Sequence, residues 1–146
     1  MSRAVPVSLR CAVIRRARGL CEYCLIHQED AHFTFQIDHI ISRKHRGATA
    51  SSNLALSCLR CNVAKGTDVG AFVGHPRMFV RLFHPREHTW AEHFRLVGAR
   101  IDPLTKVGAA TVSLLDLNAS DRLLLRRALI KAGRYPSSQA LSCLRG

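Results

Sequence analysis

Four cysteines, an acid, a histidine and two asparagines fall in one stretch of the chain, from Cys21 to Gly66. Cys21-x-x-Cys24 opens it and Cys58-x-x-Cys61 closes it, with Asp38-His39 and Asn53 between the pairs and Asn62 directly after the fourth cysteine. A C-x-x-C turn sets two sulfurs where both can reach one ion, and zinc takes four such ligands in a tetrahedron. Two turns separated by 33 residues complete that shell and clip a long loop shut. A redox dithiol or unrelated buried thiols are the alternatives, but a redox motif needs only one pair. With all four sulfurs engaged no coordination position stays open, so the expected zinc is structural.

The residues inside the clip suit a different, hydrolytic metal site. Asp38 and His39 are adjacent at the end of a strand-like run, so their side chains point to opposite sides. One can bind a metal while the other does something else. Asn62 opens the segment after the second thiol pair and offers a neutral oxygen to the same metal. Asn53 stands at the far edge of the intervening loop, where an amide could tie backbone groups together. Taken singly, Asp38 reads as a turn cap and His39 as a packed strand histidine; the clip around them and the two asparagines in register favour a site.

The elements that must position these groups follow from periodicity. Residues 8–20 predict a helix, with Ser8 as cap, Leu9, Val13 and Ala17 on one face, and Gly19 as its close. Phe33 to Ile41 alternates as a strand, residues 42–52 form a basic loop of small residues, and Leu54 to Ser57 is a short return strand. A helix is expected from Leu59 to about Val73, broken at Gly66. Beyond it, Met78 to Phe83 and Trp90 to Ile101 alternate as strands, with Val97-Gly98-Ala99 as a turn. Helices are expected over Thr105 to Leu117, with Thr105 as cap, and over Asp121 to Ala132, capped by Asn118-Ala-Ser-Asp and closed by Gly133.

The whole chain of 146 residues is long enough for one domain with a real core. Its charge is lopsided, with 22 Lys and Arg against 10 Asp and Glu. The excess is spread over both halves, 10 basic and 5 acidic residues in 1–74 and 12 and 5 in 75–146. Such a surface attracts polyanions, nucleic acid first, or is simply solvated. No apolar run is long enough to span a bilayer, and Met-Ser-Arg-Ala-Val-Pro-Val-Ser lacks a secretory h-region, so a cytoplasmic location and no membrane partner are expected. Six cysteines in such a chain argue against a disulfide framework, leaving Cys11 and Cys143 as ordinary thiols.

The pattern D-H-I-I…N-L-A-L-x-C-x-x-C-N-x-x-K-G, over about residues 8–73, resembles the HNH endonuclease family in its zinc-stapled form. The resemblance implies an α+β fold: a ββα-metal core stapled by the four-cysteine zinc site, then a C-terminal β-hairpin and helical extension. Residues 1–74 would hold the N-terminal helix and nuclease core, and 75–146 an extension packed as part of the same domain. It implies His39 as general base, Asp38 and Asn62 as ligands of a catalytic Mg²⁺ or Mn²⁺, and Asn53 as the residue orienting the histidine loop. Asn62 stands where the family's name-giving pattern has its third-position histidine, which leaves the cation few protein ligands, as suits an ion that keeps several waters. DNA is the implied partner, with Arg43, Lys44, Arg46 and Lys65 holding its backbone phosphates. His45 either helps position a phosphate or the metal's water, or is a solvated loop residue.

The C-terminal part, from Leu82-Phe-His-Pro-Arg-Glu to Gly133-Arg-Tyr-Pro136, loosely resembles an extension of a bacterial subgroup of the family. Trp90, Phe94, Leu96 and Ile101 there read as core, and Arg122, Arg126 and Arg127 as an extended DNA-facing surface or a solubilising face. A DNA endonuclease is the leading expectation. A non-catalytic zinc-stabilised DNA-binding protein and a toxin or mobile-element nuclease acting with a partner are the alternatives. The sequence leaves oligomeric state, including a homodimer, open.

Overall fold

A computed structural model describes residues 4–146; the first three residues of the N-terminal segment read above lie outside it. Helix α1 (Val7–Ala17) buries Val13 and Ala17 and packs Leu9 and Ile14 beside them, the expected face. Its start is set by Pro6 rather than by a Ser8 cap. It ends in a left-handed Arg18, and Gly19 follows at φ 74°, where an added Cβ would meet the His27 ring at 2.7 Å.

The core that follows is ββα. Strand β1 (Gln36–His39) pairs antiparallel with β2 (Leu54–Ser57), setting Asp38 opposite Ala55 and His39 opposite Leu54. Helix α2 (Leu59–Lys65) starts at once from Cys58, whose Sγ accepts the Cys61 N–H at 3.4 Å. The expected strand from 33 to 41 is thus only four residues long. The expected helix to Val73 stops at Lys65, because Gly66 at φ 52° turns the chain. The β-prone Ala71-Phe72-Val73 then extends in strand β3 (Gly70–Val73), paired with β4 (Met78–Arg81).

Helix α3 (Trp90–His93) replaces the first part of the strand expected from Trp90. Strands β5 (Phe94–Val97) and β6 (Arg100–Pro103) form the expected hairpin around Gly98, at φ 59°. Thr105 caps α4 (Lys106–Leu114), its hydroxyl accepting the Gly108 N–H at 3.0 Å. Helix α5 (Ser120–Lys131) starts without a side-chain cap; Asn118 instead exchanges two hydrogen bonds with the Ile101 backbone, at 2.9 and 2.8 Å. A last short helix, α6 (Leu141–Arg145), was not expected. One apolar cluster runs from Val13 through both cysteine pairs to Phe94, Ile101, Leu117, Tyr135 and Ala140. Trp90, Phe94 and Ile101 are buried in it, as read from the sequence, with Leu96 at its edge.

Two buried residues overturn the reading of α5 as a charged outer face. Arg122 is 4% exposed and Arg126 fully buried, while Arg127 is exposed. The helix presents them inward because backbone carbonyls and sulfurs there need donors, as described below. Among the described residues, no helix is long and apolar enough to cross a membrane.

Candidate metal centre and active-site loop

The two cysteine turns converge. Their four sulfurs lie within 4.8 Å of one another, all buried, and Cys24 Sγ and Cys58 Sγ are 3.7 Å apart. A tetrahedral ion with Zn–S bonds of about 2.3 Å separates its sulfurs by about 3.8 Å, so the donor set and spacing fit zinc. Among the described residues this is the one group of three or more His, Cys, Asp or Glu arranged to hold an ion. Cys11 is exposed and Cys143 half-buried, both outside it.

The first turn is closed by the Leu25 N–H on Cys21 C=O and the Cys21 N–H on Ile26 C=O, both at 2.9 Å. Glu22, between the first two cysteines, accepts the Leu56 N–H on Oε2 at 2.8 Å and pairs its Oε1 with Arg86. That ties the first turn to β2 through both backbone and side chain.

His39 ends β1, half-buried, with Nε2 2.9 Å from the Thr49 hydroxyl. Burial holds its imidazole below the ordinary value, against the pull of Asp38 and with Arg43 and Lys65 acting the same way as burial. The ring is therefore neutral at pH 7. Asn53 secures the loop that follows. Its Oδ1 accepts the Ile41 N–H, and its Nδ2 donates to Ile41 C=O and Ala48 C=O, each at 2.9 Å. The Ile40 N–H adds a bond to the Asn53 carbonyl, also at 2.9 Å. The chain can approach this closely only because residue 47 is glycine: a Cβ there would stand 1.7 Å from Ile41 O.

Asp38 points the other way, into the interior. Tyr23 Oη donates to its Oδ2 at 2.7 Å, and Lys65 Nζ lies 3.2 Å from both oxygens while donating to His39 C=O at 3.1 Å. Burial pushes the Asp38 carboxyl up, more than Lys65 and Tyr23 draw it down. Lys65 is 1% exposed, which corrects its assignment as a phosphate contact. A buried carboxylate needs a charged partner, and the last turn of α2 supplies it. Asn62, on the same helix, is half-buried. Arg43, Lys44, His45 and Arg46 are all exposed on the single turn Arg43–His45 and its left-handed cap.

Five contributors were missed or misplaced from the sequence. Tyr23 stands between two cysteines, a place that could have flagged it as buried. Thr49 and Gly47 sit in a run of small loop residues with nothing to single them out. Arg122 donates to Cys61 Sγ at 3.0 Å from 61 residues away, and no local pattern announces it. Arg16, from the last turn of α1, donates to Ser51 C=O at 3.1 Å and Leu54 C=O at 2.7 Å, bracing the loop from behind.

Comparison with known proteins agrees with this geometry. Residues 21–68 match the HNH endonuclease family, a span that opens on the first cysteine and takes in β1, β2 and α2. The chain is also similar to the Septu protein PtuB of Bacillus thuringiensis, 25% identical over 124 residues. That alignment covers 84% of this chain and 46% of the relative, so the chain spans about half the length of the curated relative it matches. No solved structure matches the chain at a significant level. The cysteine clip, the ββα elements and the family match coincide within residues 21–68, where the chain is similar to the HNH endonuclease family.

Proposed function

We propose that this protein is a metal-dependent HNH endonuclease that hydrolyses phosphodiester bonds in DNA, with zinc holding the cysteine clip. The observation that carries the reading is His39: an imidazole at a strand end, its ring held by Thr49 and its loop by Asn53. In the tautomer whose Nε2–H donates to the Thr49 hydroxyl, Nδ1 keeps its lone pair and would take a proton from the attacking water. Asn53 acts through the backbone of residues 41 and 48, keeping that ring in place rather than touching the substrate.

Asp38 and Asn62 would hold a divalent cation. Their oxygens are the hard donors such an ion takes, and Asp38 Oδ1, which faces Lys65 alone, retains a lone pair. When bound, a cation of this kind supplies positive charge for the oxygens of a phosphoryl group under attack. Arg43, Lys44 and Arg46 would hold backbone phosphates, fixing register without reading bases.

The same Asp38–Lys65 pair favours the second reading, a non-catalytic zinc-stabilised DNA-binding protein, since a buried ion pair serves a scaffold as well as a site. Plasmid cleavage with and without Mg²⁺ or Mn²⁺, beside His39→Ala, separates the two. Metal-dependent nicking or linearisation that falls by about 10²–10⁴ in the mutant supports the nuclease, that being the usual contribution of a positioned base. Unchanged cleavage by His39→Ala would sink the assignment. No cleavage by either protein, with DNA still retarded in a gel, would favour the binding protein.

A further inference from the structure

The cysteine cluster is not enclosed by its own clip. From α5, Arg122 Nη2 donates to Cys61 Sγ at 3.0 Å and reaches Cys58 Sγ at 3.9 Å, while Nη1 donates to Leu115 C=O at 2.8 Å. Two more residues of the C-terminal half close on the first thiol pair. Tyr135 Oη donates to Cys24 C=O at 2.8 Å, and Trp90 Nε1 donates to Tyr23 C=O at 2.9 Å.

One turn further along α5, Arg126 is just as buried but bonds otherwise. Its Nε donates to Ala99 C=O at 2.6 Å, and its Nη2 donates to Leu117 C=O at 2.6 Å and Asn118 Oδ1 at 3.2 Å. None of these acceptors is a sulfur. Two guanidinium groups four residues apart thus differ in what they serve.

Four thiolates around a dication carry a net charge of about minus two, and burying that charge is costly unless it is paired. A guanidinium stays charged in such a place and presents a planar fork of donors. We infer that Arg122 is a positioning residue of the metal centre, compensating the charge of the Cys58 and Cys61 sulfurs and making retention of the ion depend on the docking of α5. The inference rests on reading the four cysteines as a metal site. It gives the C-terminal half a part in the clip that the span of residues 21–68 does not include.

The test uses the full chain as wild type, Arg122→Met, Arg122→Lys and Arg126→Met. Zinc per chain, the rate of zinc release to a chromogenic chelator, and the sulfur-to-metal charge-transfer band of the Co²⁺-substituted proteins are measured together. Arg122→Met is expected to release zinc about 10–100-fold faster, the usual cost of losing an outer hydrogen bond to a ligand, with a displaced charge-transfer band. Arg122→Lys keeps the charge without the fork and should recover part of the retention, which guards against a mere failure of the Met variant to fold. Arg126→Met should lower the melting temperature yet keep the wild-type release rate and spectrum. Release from Arg122→Met at the wild-type rate with an unmoved band, or equal changes in Arg126→Met, overturns the inference. A wild-type chain that carries no zinc overturns the metal reading beneath it.

Discussion

In the cysteine clip four identical donors meet because two short turns each deliver a pair, and β1 and β2 bring the pairs together. In the loop from Asp38 to Asn53 no donor repeats. His39 leans on Thr49, Asn53 on Ile41 and Ala48, and Asp38 on Tyr23 and Lys65, the last 27 residues away. The clip is specified by spacing and stabilised by one kind of bond, whereas the loop is specified by unlike partners gathered from separate elements. A single substitution should therefore collapse the first and only detune the second.

The largest effect is expected at the clip. Cys58→Ala removes a sulfur and, with it, the side-chain cap of α2, so the variant should lose zinc and its cooperative fold together. Structural zinc contributes about 10–16 kcal/mol in small zinc-dependent domains at neutral pH, more than a chain of this size has to spare. Circular dichroism and limited proteolysis, with and without a chelator on the wild type, would check it. A variant that keeps a sharp thermal transition would show that the apolar cluster, not the ion, holds this region.

The second effect is at the junction of clip and loop. Lys65→Met leaves the Asp38 carboxylate buried with Tyr23 alone, and breaking such a pair from one side costs about 3–5 kcal/mol. Adding Asp38→Asn removes the stranded charge, so the double variant should be more stable than Lys65→Met alone. Urea unfolding of the four proteins of that cycle gives the coupling. Additive costs would mean that the pair is not a unit.

These two sites also mark how far the fold and the site could be read from the sequence. C-x-x-C spacing is local, and so is the sense of Asn53 as a tie between strands of backbone; both were legible. The return strand at Leu54–Ser57, the Thr105 cap and the turn at Gly98 are local too. Lys65 was misread because a lysine near a helix end usually lies in solvent, and only the pairing of β1 with β2 under α2 brings a carboxylate to it. Arg122 and Arg126 were misread for the same reason, since their acceptors come from segments that touch α5 only after folding. The helix expected through Val73 failed differently: alternating Ala71-Phe72-Val73 suits a strand once Gly66 has ended α2. Burial of a charged side chain is a tertiary property, and one sequence carries no sign of it.

Within the loop a third, smaller effect comes from titration. Because burial holds the His39 imidazole below the usual value of about 6.5, the form able to accept a proton is already dominant at neutral pH. Cleavage should be level above that value and fall about tenfold per pH unit below the lowered pKa, as protonation removes the base. The rate measured at saturating Mg²⁺ from about pH 5 to 8 gives the midpoint. A midpoint above 7 would mean that another group limits the reaction or that Asp38 governs the ring more than burial does.

The smallest effect on the fold should come from the exposed turn. Arg43, Lys44 and Arg46 hold no partner among the described residues and sit beside the strand end that carries His39. Replacing all three by alanine removes exposed charge and no packing, so the melting temperature should stay within the narrow range of ordinary surface changes. DNA affinity is where the loss would show. Each phosphate contact given up lowers the slope of log affinity against log salt by about 0.9 on duplex DNA, so three contacts lower it by nearly three. Lys65→Met provides the contrast, because a buried lysine releases no counterions: it should weaken the fold and leave the salt slope alone. If the triple variant keeps the wild-type slope, the charge of this turn is solvated and the DNA path lies elsewhere on the basic surface. If Lys65→Met lowers the slope as well, Lys65 reaches a phosphate after all, and the division between a loop face for DNA and an interior face for Asp38 breaks down.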